Sequence, residues 1–74
     1  MWIKYDDHMI NLDNVTDIVK CEDKRIDFYH IVPTSENYEF QSKTFFKFSS
    51  TENRDKAFHN IYLNFSNIME LKDD

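Results

Sequence analysis

The sequence predicts an α+β fold: an antiparallel sheet of four or five strands followed by one C-terminal amphipathic helix packed on one face. Two observations carry that expectation. From Trp2 to Phe48 apolar residues largely alternate with polar ones, the period of half-buried strands; from Ser49 onward Ala57, Phe58, Ile61, Tyr62, Phe65, Ile68 and Met69 recur every three or four residues, the period of a helix. A third observation fixes scale. Seventy-four residues form one domain, spanning 1–74, and a chain of this length buries only about 60% of its unfolded surface.

The elements follow in order. Trp2 to Tyr5 reads as a strand, with Trp2 and Lys4 on one face and Ile3 and Tyr5 on the other. Asp6-Asp7 makes the turn, because aspartate tolerates the left-handed conformation and this chain has no glycine. Met9 to Leu12 is a short second strand, broken by Asp13-Asn14. Val15 to Cys21 and Arg25 to Val32 form a hairpin around the polar turn Glu22-Asp23-Lys24. Alternation sets Val15, Val19 and Cys21 against Thr16, Ile18 and Lys20, and Ile26, Phe28 and His30 against Asp27, Tyr29 and Ile31.

Pro33 to Asn37 is a loop, Tyr38 to Phe40 an extended stretch, and Thr44 to Phe48 the last strand, where flanking Lys43 and Lys47 discourage edge pairing. Ser49-Ser50-Thr51-Glu52 starts the helix as a capping box, Ser49 capping and Glu52 reaching back. The helix is expected over about 50–68, with Arg54 on its exposed arc and a frayed tail at 70–74. Core positions are Trp2 or Ile3, then Ile10, Leu12, Ile18, Ile26, Phe28, Phe46, Phe48, Phe58, Ile61, Tyr62 and Phe65.

Composition narrows the function classes. The formal net charge is -5, from 14 acidic and 9 basic residues. No basic patch of the kind nucleic-acid binders carry is visible, so direct nucleic-acid binding is not expected. No apolar run reaches membrane-spanning length and no signal peptide opens the chain, so no membrane partner is expected. With a lone Cys21 the expected compartment is the cytoplasm.

Candidate chemistry is sparse. Asp6-Asp7-His8 lacks the spacing of a calcium loop and reads as a polar turn. Cys21 and His30 lie on neighbouring strands, yet a nucleophile also needs an orienting group and an oxyanion site. His59 has no second histidine at i+4. No catalytic residue, metal or cofactor is therefore assigned, and the chain is read as no enzyme.

A sheet with one helix leaves a face uncovered. The interface candidates are Tyr38, Phe40 and Phe45, with the acidic positions Asp17 and Asp27. Phe45 lies opposite to the face of Phe46 and Phe48, either packing under the 33–43 loop or anchoring a partner. The expected function is a non-enzymatic interaction or regulatory module whose partner is a protein, a second copy of the chain included. The alternative is a small acidic inhibitor from a phage or mobile element, of the anti-CRISPR or anti-restriction type, that blocks a nucleic-acid-handling protein. For that reading, residues 1–37 hold 8 acids and 4 bases, net -4.

The strands-then-helix order, with Asn11-Leu12-Asp13-Asn14-Val15 leading into a strand and a capped helix after Phe48, resembles small uncharacterised bacterial and phage proteins. It is also similar to part of the pleckstrin-homology-like topology, in which a C-terminal helix plugs an antiparallel sheet. A full domain of that type has about seven strands and roughly 100 residues. The basic loop that binds phosphoinositides in some of its members has no counterpart here, so the resemblance implies a fold and no site residue.

Overall fold

The computed structural model describes residues 1–33, 39–65 and 69–71, and the side chains of all of these except residues 32, 33 and 39–41. The order is β1 (Trp2–Tyr5), β2 (His8–Asn11), a single 3-10 turn (Leu12–Asn14), β3 (Val15–Cys21), β4 (Arg25–Pro33), β5 (Glu39–Lys47) and α1 (Thr51–Leu63). The α+β class with antiparallel strands and one C-terminal helix is as expected. The strands are divided, however, between a β1-β2 hairpin and a three-stranded sheet of order β3-β4-β5. Residues 34–38, Tyr38 among them, lie outside the described residues, as does Ile68.

Both hairpins solve the problem of turning without glycine. Asp6, between the paired residues Tyr5 and His8, takes φ 54°, and Lys24, last of the three residues between Cys21 and Arg25, takes φ 60°. Each occupies the left-handed region that glycine would enter at no steric penalty. Lys24 is locked there in part because its carbonyl accepts from Phe48 N–H at 2.8 Å.

The alternation in β3 is interrupted. The ladder to β4 shifts between Val15 and Asp17, so Val15 faces His30 while Asp17 faces Tyr29. The extra residue, Thr16, donates its hydroxyl to Asp17 Oδ2 at 3.1 Å and to the Tyr29 carbonyl at 3.3 Å. This bulge turns Val15 to the face of Ile18, contrary to strict alternation, and lets it pack against the core.

The core is small: Ile10, Leu12, Ile26, Phe28 and Phe46, of which Ile26 and Phe28 are fully buried. Ile3, Tyr5, Val15, Ile18, Phe48, Ala57, Phe58, Ile61 and Phe65 pack against it. Of the pair Trp2 and Ile3, Ile3 is the one packed inward; Trp2 is 61% exposed. Tyr5 couples the two sheets. Its ring stacks on Phe46 at 4.9 Å and meets Phe48 edge-on at 4.8 Å, and its hydroxyl donates to the Lys47 carbonyl at 2.6 Å.

The helix starts one residue later than a cap at Ser49 requires. Ser50 is the N-cap, its Oγ accepting from Asn53 N–H at 3.0 Å, while Ser49 Oγ accepts from Asn53 Nδ2 at 3.0 Å. Asn53 thereby stands third in the helix, and Glu52 pairs with Lys56 at 3.3 Å instead of reaching back. The helix also ends earlier than 68. Asn64 caps it with its amide on the Asn60 carbonyl at 2.7 Å, and the last N–H groups tighten onto residues three back, Asn64 to Ile61 and Phe65 to Tyr62. Arg54, expected on the exposed arc, is largely covered and donates to the Cys21 carbonyl, tying the first helical turn to the end of β3.

Candidate protein-docking face

The helix and the β1-β2 hairpin both pack on the side of the three-stranded sheet that carries Ile18, Ile26, Phe28 and Phe46. Register sets the other side. Val19 opposes Asp27, which opposes Phe45; Cys21 opposes Arg25, which opposes Lys47; and Asp17 opposes Tyr29, which opposes Lys43. Nothing among the described residues lies over this second face. Phe45, on the outer strand β5, is 55% exposed, and Val19 and Ile31 are also exposed on this face.

Beneath Phe45 lies a buried charge. Asp27 is only 1% exposed. Its carboxylate receives Arg25 Nε on Oδ1 at 2.7 Å and Arg25 Nη2 on Oδ2 at 3.3 Å, with Lys43 Nζ 3.6 Å from Oδ2. Two parallel N–H donors from one guanidinium are the strongest form of such pairing. Burial works to raise the Asp27 pKa. Hydrogen bonds from Arg25 and the Cys21 thiol, with the positive charges of Arg25 and Lys43, outweigh it and hold the carboxyl below its ordinary value. The guanidinium of Arg25 in turn lies over the Phe45 ring, 5.4 Å from its centroid, a cation–π contact. Arg25 also meets Asp23 at 3.8 Å.

The five residues expected at an interface therefore fall into three groups. Phe45 and Asp17 are exposed on this face, Asp17 accepting the Thr16 hydroxyl. Asp27 shares the face but is covered, so it supports the surface from below and offers no oxygen to a partner. Tyr38 and the Phe40 side chain lie outside what is described; the Phe40 backbone pairs with Val32 in the β4-β5 ladder. Sequence reasoning passed over Val19 and Ile31 on the same face; alternation within β4 sets Ile31 with Asp27, while Val19 and Phe45 join them only through the cross-strand register. It passed over Trp2 and Met9 too, exposed together on the outer side of the β1-β2 hairpin. Their shared face with Lys4 was the available signal.

Other chemistry is not assembled. Cys21 pairs with Arg25 and His30 with Val15, so thiol and imidazole sit on opposite sheet faces, about five residues or roughly 17 Å apart along the strand. Asp6 and Asp7 form the turn, and the His8 ring lies 5.9 Å from that of Phe46. Among the described residues no three His, Cys, Asp or Glu side chains converge as metal ligands. A cleft of about 390 Å³ runs between α1 and β3, lined by Leu12, Ile18, Phe58, Ile61 and Phe65 with the hydroxyl-bearing Thr16 and Tyr62. Thr16 is already engaged by its neighbours, so the cleft is an apolar seam with little to orient a ligand. No described helix is long and apolar enough to cross a membrane. Comparison with protein families, curated proteins and solved structures finds no match.

Proposed function

We propose that this chain is a non-enzymatic protein-interaction module that docks a protein partner on the open face of its three-stranded sheet. The observation that carries the reading is Phe45, a large aromatic 55% exposed on a regular strand, with Val19 and Ile31 exposed elsewhere on the same face. Interface anchors are enriched in aromatic side chains and gain most when they are held rigidly before binding. Arg25 stacked on the ring and Asp27 fixing Arg25 supply that rigidity.

The test is capture from nuclease-treated host lysate with wild type, Phe45→Glu, Val19→Glu and the remote control Lys4→Glu. A stoichiometric protein retained by wild type and Lys4→Glu but lost by both face variants is the expected result. Equal recovery by all four would rule out this face. Truncating a hot-spot aromatic weakens binding by about 2 kcal/mol or more, enough to lose a micromolar partner in a wash.

A second reading, an acidic inhibitor that imitates nucleic acid, is favoured by the exposure of Asp6, Asp7, Asp13, Asp17, Glu22 and Asp23 in the first half of the chain. In that case capture survives Phe45→Glu, is lost when Asp6, Asp7 and Asp13 become asparagine, and falls steeply with salt.

A further inference from the structure

Among its described side chains the docking face carries more positive than negative charge, Arg25, Lys43 and Lys47 against Asp27 and Asp17, opposite in sign to the whole chain. On β4 and β5 the side chains around Phe45 are Arg25, Lys43 and Lys47: Lys43 and Lys47 lie two residues to either side of it, and Arg25 stands opposite Lys47 and over the ring. Three of the nine basic residues of a chain of net charge -5 thus surround one exposed aromatic. Asp27 beneath them is covered and holds Arg25 and Lys43 in place. We infer that the partner segment docked here is an extended acidic one, laid along β5 with carboxylates on Lys43 and Lys47 and an apolar side chain on Phe45. This inference rests on the docking-face reading above and names the class of its partner.

The topology favours an extended segment. β5 is the last strand in the order β3-β4-β5, so half of its backbone N–H and C=O groups face away from β4; the Lys47 carbonyl accepts the Tyr5 hydroxyl, and the groups around Phe45 match an added strand. The lysines select which strand. In antiparallel pairing of β5 with a second copy, a register centred on residue 45 sets Lys43 opposite Lys47, and one centred on 43 or 47 sets a lysine opposite itself. Like charges directly opposed destabilise a ladder. The same positions that repel a second copy attract glutamate or aspartate four residues apart, with the residue midway between them left for Phe45, so one device excludes the wrong partner and recruits the right one. A nucleic acid fits less well. Its phosphates carry a charge every few ångströms and would meet the field of a chain with 14 acidic residues, whereas a short acidic strand engages the local cations within a Debye length of about 8–10 Å.

The experiment is a nuclear magnetic resonance titration of the nitrogen-15-labelled chain with three probes. They are the capped peptide Thr-Glu-Thr-Val-Thr-Glu-Thr, which sets two carboxylates and one apolar side chain on a single strand face, its counterpart with lysine in place of glutamate, and a single-stranded oligodeoxynucleotide. Saturable shifts at the amides of Asp27, Lys43, Phe45 and Lys47, with the glutamate peptide about tenfold or more tighter than the lysine peptide, are expected. Lys47→Glu leaves both Asp27 pairs intact and should weaken the glutamate peptide by about tenfold, with amide positions elsewhere unchanged; Lys43→Gln should weaken it less. Equal affinity for both peptides, tighter binding of the oligonucleotide, shifts confined to other elements, or no saturable shift overturns the acidic partner. The lysate capture separates the two levels. If it is lost by Phe45→Glu but indifferent to Lys47→Glu, the face stands and the acidic class falls; if it is indifferent to both, the face falls with it.

Discussion

Asp27 is the buried charged side chain among the described residues, and its surroundings determine what it does. Removing a charge from water is unfavourable unless the group is paired and hydrogen-bonded. Here one guanidinium binds both oxygens and a lysine approaches from the next strand. The folded pKa is therefore depressed, and the sign follows. The stabilisation is fully present above the unfolded carboxylate value, near 4, and is lost as pH falls below it through the lower folded value. Asp27→Asn keeps the shape and removes the charge, and should lower stability at pH 7 by about 1.5–3 kcal/mol. In urea melts the gap to wild type should be constant down to about pH 5 and narrow progressively below pH 4. A gap independent of pH would mean that shape, not charge, is what the site requires. Half of this arrangement was readable in advance. Arg25 and Asp27 stand two apart on a strand and so must share a face, but Lys43 joins them only through a register that no local pattern encodes.

At the scale of elements, α1 is tied at its start and weakly held along its length. None of its residues is fully buried, so capping and the Arg54 tether supply much of what keeps it on the sheet. Ser50→Ala should lower global stability by about 1 kcal/mol. Ser49→Ala, which removes only a side-chain contact to Asn53, should cost less than half of that. Helical ellipticity against urea distinguishes them, and equal losses would contradict a cap at Ser50. The switch of period near Ser49 made the helix legible, while its start was ambiguous because Ser49, Ser50 and Thr51 are all competent caps. Its end was misjudged for a physical reason. Phe65 continues the apolar spacing, yet Asn64 turns its amide back onto Asn60 and the backbone tightens before Phe65. In β3 the same limit applies: alternation reads faces correctly until a bulge at Thr16 adds a residue, and a bulge leaves no signature in the residue types flanking it.

The whole molecule depends on how its two sheets are joined, which local periodicity could not reveal. Alternating segments look alike whether they form one sheet or two, and the decision lies in long-range contacts. Tyr5 makes several of them, stacking on Phe46, meeting Phe48 edge-on and donating to the Lys47 carbonyl. A chain of 74 residues has a total stability of about 4–11 kcal/mol. Removing a half-buried aromatic removes a large share of that, about 2–3 kcal/mol for Tyr5→Ala, whereas Tyr5→Phe forfeits only the hydroxyl contact, about 0.5–1.5 kcal/mol. A two-stranded hairpin has little stability of its own, so its protection must be borrowed through Tyr5 from the sheet beneath. Native-state hydrogen exchange reads this directly. In wild type the Ile3 and Ile10 amides should open with a free energy close to that of Phe28 in the sheet core. In Tyr5→Ala the hairpin amides should exchange by a cheaper local opening while Phe28 retains most of its protection. If instead all three amides lose protection equally, the hairpin and the sheet are one cooperative unit and the junction at Tyr5 is no weaker than the core. Because Tyr5 bonds to the carbonyl of Lys47, two residues from Phe45, the same variant also bears on the docking face. Hairpin release that leaves acidic-peptide binding unchanged would show that β5 holds its shape through the β4 ladder alone.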